Sequence, residues 1–501
     1  MIRSQFLGVG CAFVLTLLAC GDDSVTGGSA EGGNAGGGAP PAGGAAAGGS
    51  GGEGAASSDG GAGGGGSGGS PPSLNCELGF SGAIDASCGV FVQPGGLGGD
   101  GSQASPHGSL AEAVEAHGPS AFYVCGTGIV ESTSLSAGDA VYGSVTCDWS
   151  WGAPDLVWTA QLGEIPVIIQ GNSSSTVTKL GGIAVSAPQP NAVGGSSVAV
   201  AASNANVDLD QVSIIAADGF DGVNGVNGSS PIGFGGDGAG GYEAGVSSDF
   251  PPGGTSPCGR TGGAGGKIQL SAWLAGISNG GQGIAGSSGG TAVTTAGGSA
   301  GAACVGANGA SVPNGAAGQN GSSLGSVSLI GYLGNDGANG TGGANGNGGG
   351  GGGARRRLGN HWTGGAGGGG GCGGAAGTAG TAGGSSIAII SLETTWSFGN
   401  ITIEVGAGGN GGTRGVGAAG SAGGVAFGPL AIGIFPCIGG IGSAGASGGN
   451  GGSGAGGHAI LIAYKGTAPD LSTASTVTPT QAGIGGTGAV NGVAALSQLF
   501  P

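Results

Sequence analysis

The chain has little charge. Charged residues make up 7% of its 501 positions, against about 25% in ordinary globular domains. With 137 glycines as well, it lacks the charged solvent face that a bundle of amphipathic helices needs. Lys and Arg together number only 9. That scarcity excludes nucleic acid as a partner, because such affinity rests on neutralising phosphates with basic side chains. Histidines number 4 and no Cys-x-x-Cys pair occurs, so neither a zinc cluster nor another metal site is expected. No motif for a cofactor is present either. Several Gly-x-Gly-x-x-Gly strings lie inside glycine tracts, without the strand and helix that would give them meaning. Gly445-Ala-Ser447-Gly-Gly449 is discounted as a nucleophile elbow for the same reason.

A long apolar run is also missing. The one apolar stretch, Phe6 to Leu18, is shorter than the roughly 20 residues of a membrane span. It follows Arg3 and ends in Leu17-Leu18-Ala19-Cys20. A basic start, an apolar core and a small residue at the cut describe an export signal over residues 1–19. The ending resembles the bacterial lipobox, which implies a lipid on Cys20 and attachment to a membrane. Residues 20–73 then read as a flexible Gly/Ala/Ser tether, closed by Pro71-Pro72. Without Arg3 the exported chain keeps eight basic and 26 acidic residues, a net charge of −18.

Of the 10 cysteines, eight follow the anchor: Cys76, Cys88, Cys125, Cys147, Cys258, Cys304, Cys372 and Cys437. An even number in an exported chain points to disulfides. Sequence neighbours, Cys76 with Cys88 and Cys125 with Cys147, are the expected pairs among many possible ones.

Residues 74–220 alternate short strand-like runs with small turns. Ser109 followed by Glu112 is a capping box. It opens a short helix to His117 with Leu110, Ala113, Val114 and Ala116 near one face. Runs at Phe122–Cys125, Ile129–Val130, Val141–Tyr142, Pro166–Ile169, Ser197–Val200 and Val207–Ile215 read as strands. Residues 221–501 repeat a unit of strand, gap, strand and glycine tract. Clear copies start at Gly195 and Gly384, and weaker ones at Gly266, Gly325 and Gly457. Such repetition marks stacked units that bury their apolar faces only against one another. Within the tracts glycine recurs at every third position, as in 365, 368, 371, 374, 377, 380 and 383. A polyproline-II-type helix has three residues per turn. The spacing therefore lines glycines along one edge and predicts extended three-fold helices packed side by side as loops.

On these residues a family resemblance can be stated. Residues 107–220 resemble the start of a right-handed parallel β-helix of the pectin-lyase type, with Ser109–His117 as its cap. The whole chain is similar to glycine-rich surface lipoproteins of myxobacteria and related Gram-negative bacteria. The cues are the lipobox, the Gly/Ala tether, the Gly-Ser-Ser-Val/Ile-Ala openings and the Gly-Gly-x-Gly-Gly tracts. The resemblance implies an all-β solenoid with glycine-rich loops at the cell envelope, in the outer membrane or on the cell surface. It implies no established activity.

The expected function is non-enzymatic: structural, adhesive or matrix-forming, with polysaccharide or other surface proteins as partners. Two rivals stand beside it. The first is a polysaccharide lyase or glycoside hydrolase, with Asp208 and Asp210 on the outward face of their strand as the carboxylate pair. The basic residues Lys179, Lys267, Lys465, Arg260, Arg414 and Arg355–Arg357 match no lyase pattern. The second is an ice- or glycan-binding module, with Thr378 and Thr381 lining one edge. Trp149 and Trp151, clustered with Trp158, are candidates for stacking on sugars, with core packing as the alternative.

Overall fold

The computed structural model describes residues 76–501, apart from 79–80, 154–155, 173–174, 243–249, 272–273, 278–303, 323, 358–359, 427–436, 478 and 480. Cys20, the signal and the tether lie outside the described residues.

The protein is nearly all β. Its one described helix, Leu110–His117, is capped by Ser109, whose hydroxyl accepts the Glu112 N–H. The Glu131 carboxylate accepts the N–H groups of Leu110 and Ala111. Leu110 and Ala113 face the core, while Ala116, expected on that face, is exposed.

Two sheets, parallel throughout, carry the fold. The first runs Val90–Val92, Ala121–Cys125, Ala140–Val145, Val177–Ala187, Asn206–Ala216, Thr402–Val405 and Ser475–Thr476. The second runs Thr133–Ser136, Val167–Gln170, Ser197–Ser203, Ser386–Leu392, Ala459–Lys465 and Ala494–Leu499. From Val177 onward the sheet strands alternate between the two, except that Thr395–Phe398 and Thr402–Val405 both pair with Asn206–Ala216 in the first. The repeat starts at Gly195, Gly384 and Gly457 lead into strands that lie in register: Ser386 pairs with Ser197 on one side and Ala459 on the other.

The first sheet is bent. Pairing skips Gly182 and Gln211, which share positive φ with Ser144 in one column. A second column of positive φ, at Asn204, Glu393 and Gly466, marks the turn out of the second sheet. Backbone bonds tie these turns, Asn204 N–H to Leu392 O at 2.8 Å and Glu393 N–H to Lys465 O at 3.0 Å. Inside, in-register side chains stack into ladders. Phe122, Val141, Leu180, Leu209 and Phe398 form one, and Val167, Val200, Ile389 and Ile462 another. Parallel sheets are found with both faces covered, and the second sheet obeys this: its outer ladder, Val198, Ile387 and Ile460, packs with Val327, Tyr332 and Phe500.

The glycine tracts form a bundle held by backbone hydrogen bonds. Gly222, Gly225 and Gly228 donate to the carbonyls of Asn410, Thr413 and Val416 at 2.7–2.8 Å. Gly374, Gly377, Gly380 and Gly383 donate to Ala446, Gly449, Gly452 and Ala455. Gly337, Gly340, Gly343 and Gly346 donate in the opposite sense to Gly380, Gly377, Gly374 and Gly371. Partners recur every third residue, as the period predicts. Residues 363–384 form a central tract touched by five others. Close approach explains the glycine: a Cβ on Gly377 would press into the carbonyl oxygen of Gly415.

The expected copies at Gly266 and Gly325 are a correction. They are antiparallel hairpins, Ile268–Ser271 with Leu274–Ile277 and Ser326–Ser328 with Gly331–Leu333, as is Arg355–Arg357 with Asn360–Trp362. Each reverses the chain within the glycine region, and a single parallel strand cannot reverse direction so tightly. All eight cysteines are paired. The two expected bridges occur, and Cys258–Cys372 and Cys304–Cys437 lie within the bundle.

Candidate functional site

On the outer face of the first sheet, Phe91, Tyr123 and Tyr142 occupy one in-register column. Their rings stack at 5.4 and 5.5 Å between centroids. Trp149 and Trp151 close the sides, Trp149 edge-on to Phe91 and Trp151 edge-on to both tyrosines. Trp149 is 9% exposed and donates its indole N–H to the Gln103 carbonyl, so its faces serve packing. Trp151 is half-buried, and Trp158 lies wholly in the core with its N–H on the Glu131 carbonyl.

The column stops abruptly. Its next position is Gly181, and the one after is Asp210. The Tyr142 ring and Leu78 close over Gly181, and beside them lies a hollow of about 140 Å³ lined by Glu77, Leu78, Tyr142, Lys179, Asp208 and Asp210. Asp208 and Asp210 point outward, as strand alternation requires, because Val207, Leu209 and Val212 are buried. Asp208 is half-buried and stands beside Lys179, its register partner. Asp210 is exposed and accepts the Asn400 N–H at 3.3 Å. A second hollow, of about 230 Å³, continues past Asn400 along Gln211, Ser213 and Thr402.

The first hollow holds three carboxylates and one ammonium. Burial raises the pKa of the Tyr142 phenol, and the charges of Glu77 and Asp208 raise it further. The phenol therefore keeps its proton and can both donate and accept. Tyr142 is 7% exposed, and its hydroxyl has no hydrogen-bond partner among the described residues. Asp208 and Asp210 were legible as outward acids. Their companions Glu77, Tyr142 and Lys179 were not, because register between distant strands brings them together. The Gly181-Gly182 pair inside a strand run is the one local signal, marking the close approach of Tyr142, Leu78 and Ser144.

Other candidates divide. Thr378 and Thr381 spend their hydroxyls internally, accepting the N–H groups of Val226 and Val223. Asp237 and Asp336 accept the N–H groups of Val425 and Ala382. Among the described residues no group of three His, Cys, Asp or Glu is placed to hold a metal, and no helix is long and apolar enough to cross a membrane.

The bundle offers a different kind of surface. Residues 413, 416, 419, 422 and 425 of one tract, spaced by three, are all exposed: Thr413, Val416, Ala419, Ala422 and Val425. Ile438, Ile441 and Ala444 are exposed in the same rhythm on the neighbouring tract. An Asx ladder borders the first row. Asp218, Asp221, Asn224 and Asn227 accept the N–H groups of Ala407, Asn410, Thr413 and Val416 at 2.6–2.8 Å. Asn308, Asn314 and Asn320 do the same for Ile441, Ser447 and Ser453. These acceptors went unread in the sequence. Their signal is an Asn or Asp directly before the periodic glycine.

Comparison with protein-family models, curated proteins and solved structures yields no match.

Proposed function

We propose that the chain is a non-enzymatic cell-envelope lipoprotein with an adhesive or matrix role. In this reading lipid on Cys20 anchors it and residues 20–73 hold it off the membrane. The two parallel sheets are faces of a right-handed β-helix. Support comes from the alternation of strands between sheets, the stacked turn columns and the strong bias of parallel crossovers to the right hand. The bundle is the contacting surface, toward polysaccharide or another surface protein. One observation carries this: backbone bonds fix the tracts so tightly that their outer side chains form straight rows of short, apolar groups. A rigid surface binds without the ordering cost of loops.

The test is a binding assay of the full chain on envelope polysaccharide and on intact cells, with Val416→Lys and Val425→Lys together. Both positions are about half exposed, at 54% and 46%, so the fold tolerates the change. Retention should fall while the thermal midpoint holds. Retention unchanged by the double variant, or glycan cleavage abolished by Asp208→Asn, would sink the proposal.

A further inference from the structure

We propose that the trough between two tracts of the bundle, residues 417–423 and 444–451, is a docking groove for an extended segment of a partner protein with glycine at every third position. It rests on the adhesive role proposed above and names the partner of that same surface.

The inner end of the trough shows what it holds, because residues 481–487 of the chain itself lie there between the two tracts. Gly483 and Gly486 donate their N–H groups to Gly457 O and Gly454 O at 2.9 and 3.0 Å. On the other wall Gly408 and Gly411 donate to Gln481 O and Ile484 O at 3.0 and 2.8 Å. The seated segment must be glycine where it touches: a Cβ on Gly483 would fall 1.8 Å from Gly409 O, and one on Gly486 2.3 Å from Gly412 O. The segment then turns back, with Ala489 donating to Gly486 O, and side chains take its place. The Ser453 hydroxyl accepts the Arg414 N–H at 3.1 Å and donates to Thr487 O at 3.0 Å. Asn450 accepts the Gly417 N–H at 3.0 Å. Beyond Asn450 the same ladder continues with nothing on it. The Gly420 N–H and Gly448 O carry no hydrogen bond among the described residues, and neither do the Gly423 N–H and Gly445 O one turn further. All four glycines are half-buried. Each pair repeats, at steps of three residues, the pair that grips Gly483-Ile484 at the base, Gly457 O and the Gly411 N–H. Rows of unpaired backbone groups are templates for another chain, as at the edge of a sheet. The flanking side chains are Ala419, Ala422 and Ala444, all exposed and short enough for a backbone to settle between them. Donors and acceptors recurring every three residues, about 9 Å apart in this form, fit a polypeptide in three-fold extended conformation. A second copy of the chain fits less well. Its net charge of −17 repels its like, and its own glycine edges are turned inward, as Gly377 is on Gly415 O and Gly448 on Ala375 O.

The probe is a synthetic peptide copying residues 374–383, Gly-Ala-Ala-Gly-Thr-Ala-Gly-Thr-Ala-Gly, titrated into the full chain labelled with ¹⁵N-glycine. The Gly420 and Gly423 amide signals should shift saturably and gain protection from hydrogen exchange. A control peptide with alanine at the positions of Gly377 and Gly380 should not bind. Ser447→Asn with Ala444→Asn would set amide oxygens over the Gly420 and Gly423 N–H groups, as Asn450 does over Gly417, one and two turns along the same row. That double variant should bind the peptide at least about tenfold more weakly while its thermal midpoint holds or rises. Asn450→Ala uncovers the Gly417 N–H and should tighten binding about fivefold. Four results overturn the proposal: no shift at Gly420 and Gly423, equal binding of the alanine control, unchanged affinity in the asparagine double variant, or protection of both amides by envelope polysaccharide or by a second copy in place of the peptide. If the peptide fails while Val416→Lys with Val425→Lys still lowers retention on cells, the docking groove falls and the adhesive role stands; loss of both removes both.

Discussion

Gly342 and Gly343 are neighbours in one tract, and the packing predicts opposite outcomes for the same substitution. A Cβ on Gly343 would press into the carbonyl oxygen of Ala446. Gly343 also donates its N–H to Gly374 O at 2.9 Å, and Gly374 donates to that same Ala446 oxygen at 2.9 Å. Relieving the overlap separates the tracts and strains both bonds. Two backbone bonds are worth about 0.5–1.5 kcal/mol each, and overpacking costs about 1–3 kcal/mol. Alanine returns about 0.4–1 kcal/mol by restricting the unfolded chain. The net destabilisation for Gly343→Ala is about 3 kcal/mol, within a range of about 1–5. At Gly342 the nearest atom to a Cβ is Gly374 O at 3.8 Å, and φ is not positive. Only the entropic gain remains, so Gly342→Ala should be neutral or about 0.4–1 kcal/mol more stable. Amide hydrogen exchange is the assay, because it reads the stability of the tracts locally. Protection of Gly374, Gly377 and Gly380 should fall by about a hundredfold in Gly343→Ala, at about tenfold per 1.4 kcal/mol, and hold in Gly342→Ala. If the two variants exchange alike, the close packing of the tracts is wrong.

Two further outcomes follow from the same structure. Replacing Cys258 and Cys372 together by Ser opens a link across 114 residues and should cost about 2–5 kcal/mol, read as a lower denaturant midpoint under non-reducing conditions; an unmoved midpoint refutes the bridge. His458 is buried, with its Nδ1 accepting the Val493 N–H and its Nε2 donating to Leu324 O, and burial lowers its pKa below 6.5. Its contribution is therefore fully present above the unfolded value near 6.5 and is lost as pH falls below it, so the drop in melting temperature between pH 7.5 and 5.5 should shrink in His458→Gln.

How far the sequence reached depended on the range of the forces involved. Strands at Phe122–Cys125, Ser197–Val200 and Val207–Ile215 were readable because alternation is local, and all three recur in the sheets. The helix cap was readable for the same reason. The copies at Gly266 and Gly325 misled because a glycine followed by alternating apolar residues describes a hairpin arm as well as a coil strand. What separates the two is whether the partner strand is near or far in sequence, and the pattern is silent on that. The site shows the same division. Asp208 and Asp210 announce their outward direction, but Tyr142 and Lys179 join them only through the register of Ala140–Val145 with Val177–Ala187.

The period of three was legible, yet its consequence depends on how the tracts leave the sheets. At their base Gly219 donates to Ala407, Phe220 to Gly195, Gly384 to Phe220, Gly409 to Gly384, Gly457 to Gly409 and Gly483 to Gly457. Gly195, Gly384 and Gly457 lie just before strands of the second sheet, and Gly219, Phe220, Ala407 and Gly409 just after strands of the first. The in-register stacking of Ser197, Ser386 and Ala459 therefore sets the register of the tracts before they extend. Their Asx residues then meet the N–H groups of the next tract at a constant offset: Asp218, Asp221, Asn224 and Asn227 all reach partners 189 positions on. A slip of one residue would bring a side chain to many of these contacts, as at Gly222, Gly225, Gly377 and Gly380, and move the Asx acceptors off their N–H partners. That joint penalty gives a chain of low charge and 137 glycines one arrangement where composition alone allows many. It also explains why the exposed rows on the bundle are straight: they inherit their alignment from the sheets.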